Sequence, residues 1–170
     1  AQALSSIDAP LGKFAVTGNH EYYAGIDTAL NFTRQAGFTI LRGSAADVNS
    51  IITIAGVDDP TGGRNTYTNE HELMTDLPAD RYTVLLKHRP EIDPASEKRI
   101  DLQLSGHTHK GQVFPFTYVI ELRYGFIAGL RRFAEGAHLY VSRGTGTWGP
   151  PIRVLARPEI TVIELRPATP

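Results

Sequence analysis

Leu102-Gln103-Leu104-Ser105-Gly106-His107-Thr108-His109-Lys110-Gly111-Gln112 decides how the rest of the chain is read. Its first residues alternate apolar and polar like a buried strand, a glycine ends them, and two histidines follow with one residue between. A loop past a strand end can hold two neutral imidazoles at a fixed spacing, each with a nitrogen free for a transition-metal cation. Gly106 and Gly111 let the backbone turn sharply and come close to whatever sits between the rings. A pair of surface histidines in a turn has the same spacing. The motif alone leaves both readings open, and the remainder of the chain has to choose.

The totals narrow the field. At 170 residues, 41 % apolar and 21 % charged, residues 1–170 read as a single globular domain with a real core. A net charge of −1 gives no electrostatic case for a nucleic-acid partner, although a bound metal would still admit polyanionic substrates. The absence of cysteine excludes disulfides, thiolate zinc sites and thiol catalysis. No run approaches the ~18 apolar residues of a membrane span, and Ala1-Gln2-Ala3-Leu4 lacks the features of a signal peptide. With Met74 as its one methionine, the chain is expected to be an excised piece of a longer protein.

Outward from the central stretch, the pattern predicts short strands at Lys13–Thr17, Phe38–Leu41, Ile51–Val57 and Tyr82–Lys87, a hairpin from Ile127 to Ser142 around Glu135-Gly136, and a closing strand at Glu159–Leu165. Helices are predicted over Ile26–Gln35, stopped by Gly37, and over Asn69–Leu77, stopped by Pro78. Asn19 to Tyr23, the aromatic section Phe114 to Phe126, and Arg143 to Pro151 read as loops or irregular structure. The mixture predicts an α/β or α+β sandwich. Three strands deliver metal-capable side chains to a following loop: Asn19 and His20, His88, and His107 with His109. One edge of a layered sheet is where ligands gather in such folds. His71 and His138 have no such setting.

Taken in order, Gly18-Asn19-His20-Glu21, Lys87-His88 and Gly106-His107-Thr108-His109 resemble the C-terminal half of the calcineurin-like metallophosphoesterase signature. Gly56-Val57-Asp58-Asp59-Pro60 and Ser142-Arg143-Gly144-Thr145-Gly146 add a resemblance to the YkuE/YaeI-like bacterial branch. The resemblance implies a metal-dependent phosphoester hydrolase, phosphodiesterase- or pyrophosphatase-like, with two divalent ions (manganese, iron or zinc). It implies that Asn19, His88 and His107 ligate one metal and His109 the other. His20 would act beside the scissile bond as a general acid or a stabiliser of transition-state charge.

The family's opening Asp-x-His and Gly-Asp motifs are absent here. The expected architecture is therefore an incomplete four-layer αββα sandwich lacking its first strands. The expected activity of the isolated piece is negligible, with one metal ion or none bound. A homodimer through the exposed sheet edge is expected as well. The substrate is expected to be a phosphoester or pyrophosphate small molecule or a lipid, and the branch suggests a cell-envelope or membrane-associated full-length protein. Lys110 beside the motif, and Arg89, Arg143 and Trp148 in neighbouring loops, could border the pocket. Two alternatives compete. A non-catalytic scaffold of the same fold would tend to lose catalytic histidines or ligands, which are intact here. A His-x-His amidohydrolase would need a barrel of about 250 residues with the motif early.

Overall fold

A chain that enters on a short helix, α1 (Gln2–Ser5), forms its first strand, β1 (Phe14–Ala15), beside the loop that will carry Asn19. The structure, a computed structural model, describes residues 2–63, 68–133 and 135–167. Helix α2 (Asn19–Ala24) and helix α3 (Ile26–Gln35) follow, and β2 (Thr39–Ile40) returns parallel to β1 as a two-stranded sheet. The next segments are β3 (Ser44–Val48), β4 (Ile52–Gly56), α4 (Glu70–Asp76), β5 (Tyr82–Leu86) and β6 (Leu102–Ser105). Helix α5 (Phe116–Tyr124) and the strands β7 (Gly129–Arg132) and β8 (His138–Val141) complete the regular structure.

Six of the strands form one sheet in the order β3-β4-β5-β6-β8-β7. Its four inner strands run parallel, and β3 and β7 flank them antiparallel. Of the inner strands, Tyr-Thr-Val-Leu-Leu carries apolar residues on both faces, as a parallel sheet covered on both sides favours, while the second face of Leu-Gln-Leu-Ser carries the buried polar Gln103 and Ser105. Ala55, Val57, Met74, Leu85 and Ile100 pack as one buried cluster, joined by Leu73 and Leu77 of α4 and its C-terminal end. The small sheet meets the large one at Gly56, where a Cβ would stand 2.5 Å from Leu41 Cβ and 2.6 Å from Val16 Cγ1. Only a residue without a side chain lets the two sheets approach this closely.

The mixed α/β class is as expected, and so are the central strand, α3, α4 and the β7–β8 hairpin, whose Ala134 lies outside the described residues. Four segments differ. Asn19–Ala24 is a helix, because the Glu21 carboxylate accepts from the Gly18 N–H at 2.6 Å and satisfies the start of the turn. The aromatic section contains α5, closed by Gly125 in the left-handed conformation with its N–H on Glu121 O at 2.7 Å. Ser44–Val48 pairs with β4 despite weak strand propensity, since its register against Ile52–Gly56 fills the sheet edge. Glu159–Leu165 forms no strand. Its alternating pattern has no neighbouring strand to pair with, and Val162 stays 91 % exposed.

Candidate metal centre

The C-terminal ends of β1, β5 and β6 open on the same side, and each supplies part of one cluster. Asn19 is the first residue of α2, just past Gly18. The Gly18 backbone lies flat against the next component: a Cβ there would come within 2.8 Å of the His88 ring. His88 leaves β5 and is tied to the central strand by the Gly106 N–H, which donates to its carbonyl at 3.0 Å. Its neighbour Arg89 donates to both carboxylate oxygens of Asp59, Nε to Oδ2 at 2.9 Å and Nη2 to Oδ1 at 3.0 Å. Gln103, fully buried on β6, gives its Nε2 to the Ser105 hydroxyl at 2.9 Å and reaches toward the carbonyls of Arg89 and Glu91. The loop carrying His88 is thus anchored from two sides.

His88 Nε2 stands 2.9 Å from Asn19 Oδ1 and 3.0 Å from His107 Nδ1. Three potential lone-pair donors therefore meet at one point. Neighbouring donors on one tetrahedral or octahedral cation, at metal–ligand distances near 2.0–2.2 Å, stand about 3.0–3.4 Å apart. The observed spacing fits. Burial, with help from His107 and against the pull of Asp59, pushes the His88 imidazole down to about 4. Burial, then Arg89, lowers His107 as well. Both rings are neutral at pH 7, the form that ligates. One shared proton could satisfy only part of this contact set, whereas a cation could take every lone pair. Among the described residues no three histidine, cysteine, aspartate or glutamate side chains form a metal-binding group, so the set reaches three only through the amide of Asn19.

The backbone around the two histidines is unusual. His107, His109, Lys110 and Gln112 all have positive φ, between 48° and 67°. Side-chain-bearing residues seldom adopt this region, and each such residue costs about 1–3 kcal/mol unless its surroundings enforce it. Gly106, read from the sequence as a turn glycine, has ordinary φ; the histidines themselves make the turn. Buried Gln112 holds the flanking loop by donating to Trp148 O at 2.7 Å and accepting from the Trp148 N–H at 2.7 Å.

His109 does not touch the three-donor point. Its Nδ1 lies 3.0 Å from Arg153 Nη2. Burial, then the Arg153 charge, lowers its pKa. His20 is exposed, with its ring edge-on to Tyr23 at 5.6 Å. Asn19, His20, His107 and His109 nevertheless share the wall of one cavity of about 490 Å³, whose other walls include Tyr23, Ile120, Arg123, Tyr124 and Trp148.

Of the residues that sequence placed near the pocket, Trp148 lines it, while Lys110, Arg89 and Arg143 do not. Arg89 is engaged by Asp59 and Arg143 by Glu159. Asp59, Tyr124 and Arg153 escaped the sequence reading. Asp59 carried a signal, standing in the Gly56–Pro60 stretch next to a second acid, but no role followed from it.

A family model described as calcineurin-like phosphoesterase matches residues 2–111. An uncharacterized metallophosphoesterase of Aquifex aeolicus is 43 % identical over 170 residues, covering 98 % of this chain and 65 % of the relative. The uncharacterized metallophosphoesterase YkuE of Bacillus subtilis is 36 % identical over 174 residues, covering 96 % of the chain and 59 % of the relative. A Danio rerio "transmembrane protein with metallophosphoesterase domain" is 34 % identical over 182 residues, covering 99 % and 42 %. The chain thus spans between 42 % and 65 % of these three relatives. No solved structure matches it.

Proposed function

The chain belongs to the calcineurin-like phosphoesterase family, and we propose that it carries the C-terminal half of the active site of a metal-dependent phosphoester hydrolase. The observation that supports this reading is the meeting of Asn19 Oδ1, His88 Nε2 and His107 Nδ1 at spacings of 2.9 and 3.0 Å, with Asn19 and His107 on the wall of a cavity shared with His20. The family implies divalent cations, and neutral imidazole with an amide oxygen suits manganese, iron or zinc. Asn19, His88 and His107 hold one ion in this reading, and His109 reaches a second whose other ligands lie outside the chain. Bound divalent ions supply positive charge for the phosphoryl oxygens and a water acidic enough to attack at neutral pH.

The chain's own residues do the rest. His20 follows a ligand directly, is exposed to the cavity, and gives its proton to the leaving oxygen or stabilises its charge. Tyr23, Ile120 and Trp148 offer apolar and aromatic surface to the organic part of the substrate, while Arg123 offers a cation to an anionic part. This supports a phosphodiester or pyrophosphate with an apolar substituent, a lipid among them. Cell-envelope or membrane association fits the exposed Phe116, Tyr118, Val119 and Leu122 of α5 and the name of the Danio rerio relative. Among the described residues no helix is long and apolar enough to cross a membrane.

The test is hydrolysis of a chromogenic phosphodiester by the full-length protein loaded with manganese or zinc. The reading requires turnover that a chelator abolishes and added metal restores. Absence of turnover on phosphomonoesters, phosphodiesters and pyrophosphates alike, with metal bound, would remove it.

A further inference from the structure

Both histidines of the His-Thr-His motif have an outer contact that no motif accounts for. Tyr124, the last residue of α5, places its hydroxyl 2.7 Å from His107 Nε2. The two rings meet edge to face at 5.4 Å. The other nitrogen of His107, Nδ1, is the one 3.0 Å from His88. At His109 the contact has the opposite sense: the Arg153 guanidinium can only donate, and its Nη2 gives a proton to Nδ1 at 3.0 Å. Arg153 is itself fixed by backbone carbonyls: Nε donates to Gly146 O at 2.9 Å, Nη1 to Ala156 O at 3.1 Å and Nη2 to Arg143 O at 2.8 Å.

We propose that Tyr124 is a positioning residue that decides which nitrogen His107 presents to the site, Nδ1. The inference rests on the metal-site reading above and adds one residue, from α5, to what holds it. The chemistry is that of outer hydrogen bonds at any imidazole ligand. Neutral imidazole has one N–H and one lone pair, so a partner that takes the N–H on one nitrogen leaves the lone pair on the other. The Tyr124 oxygen takes the Nε2 proton of His107.

The positive φ of His107 calls for such a partner. A histidine held in a sparsely populated backbone region would relax if its ring were free. Tyr124 is itself tethered. Thr117 of α5 donates to Lys110 O at 3.2 Å, and a Cβ at Gly111 would lie 2.4 Å from Thr117 Cα. The helix that bears Tyr124 is thereby seated directly on the His-Thr-His loop. Arg153 spans the loop from Arg143 to Ala156, which also carries Trp148 into the cavity.

The experiment uses the full-length protein and its Tyr124→Phe variant. Zinc affinity is read by chelator competition, and histidine tautomers by long-range nitrogen–proton NMR in the zinc-loaded and metal-free forms. Tyr124→Phe should weaken zinc about 10–100-fold and give His107 a mixture of tautomers. A variant that binds zinc within twofold of the parent and keeps the His107 tautomer would overturn the positioning role while leaving the metal site standing. If the parent binds no zinc but the tautomer still responds to the substitution, the positioning role stands and the phosphoesterase reading fails.

Discussion

Replacing Asp59 by alanine tests whether a buried ion pair holds the His88 loop in place. The Asp59 side chain is 0 % exposed and accepts three hydrogen bonds, two from Arg89 and one from the Thr61 N–H at 2.9 Å. Alanine would strip the guanidinium of its counter-charge and leave the Thr61 N–H without its acceptor. Removing one partner of a buried pair costs about 3–5 kcal/mol. Arg89 is 25 % exposed, so water reaches it and the lower end, about 3 kcal/mol, applies. For a chain of this length the loss corresponds to about 6–12 °C in Tm. Asp59→Asn, which keeps an acceptor for Thr61, should cost about half as much.

The effect also has a pH signature. Burial opposes ionisation of Asp59, but the hydrogen bonds from Arg89 and Thr61 outweigh it and hold the carboxyl below its ordinary value. A depressed carboxylate contributes stability that is present above its unfolded value of 3.8 and is lost as pH falls below it. The penalty of Asp59→Ala should therefore shrink under acid. The assay is denaturant unfolding of the parent, Asp59→Ala, Arg89→Ala and the double variant at pH 7 and pH 3. Additive losses at pH 7, or an Asp59→Ala loss below about 1 kcal/mol, would refute the reasoning.

Other outcomes follow from the same geometry. The metal-free protein should lose stability as pH falls from 6.5 to about 4, because the unfolded His88 takes a proton that the folded ring refuses; the difference from a His88→Gln variant should approach about 3 kcal/mol by calorimetry. Gly18→Ala would drive a Cβ to 2.8 Å from the His88 ring, and an overpacking loss of about 1–3 kcal/mol with weakened metal binding is expected in unfolding and chelator titrations. His20→Ala should lower turnover of the full-length enzyme about 10²–10⁴-fold. Its metal content by elemental analysis should stay at the parent level, and a fall in metal would contradict the role given to His20.

The fold was readable where apolar strands are long and buried. Tyr82–Leu86 announces itself by apolar residues on both faces, as an inner parallel strand favours, and Leu102–Ser105 by its alternation up to the glycine. Ser44–Val48 could not be read this way, since its pairing comes from the β4 edge and not from its own side chains. Glu159–Leu165 failed in the opposite direction: the alternation is present, but no neighbouring strand completes it. At the site, the order of Asn19, His20, His88, His107 and His109 was legible because each follows a strand end. Three of them meet as donors and all but His88 share the cavity wall. The outer partners were not legible. Tyr124 sits 17 residues from His107 and Arg153 44 residues from His109, separations fixed only by how α5 and the last loop fold back.

The measurement that bears most directly on the account is metal stoichiometry in the full-length protein, by elemental analysis after loading with manganese or zinc. It should be made on the parent and on Asn19→Ala, His88→Ala and His107→Ala variants whose folding is checked by circular dichroism. The account predicts bound metal in the parent and a loss of about one equivalent in each variant. Full metal content in all three folded variants, or a folded parent that binds none, would contradict the claim that these three side chains hold a cation.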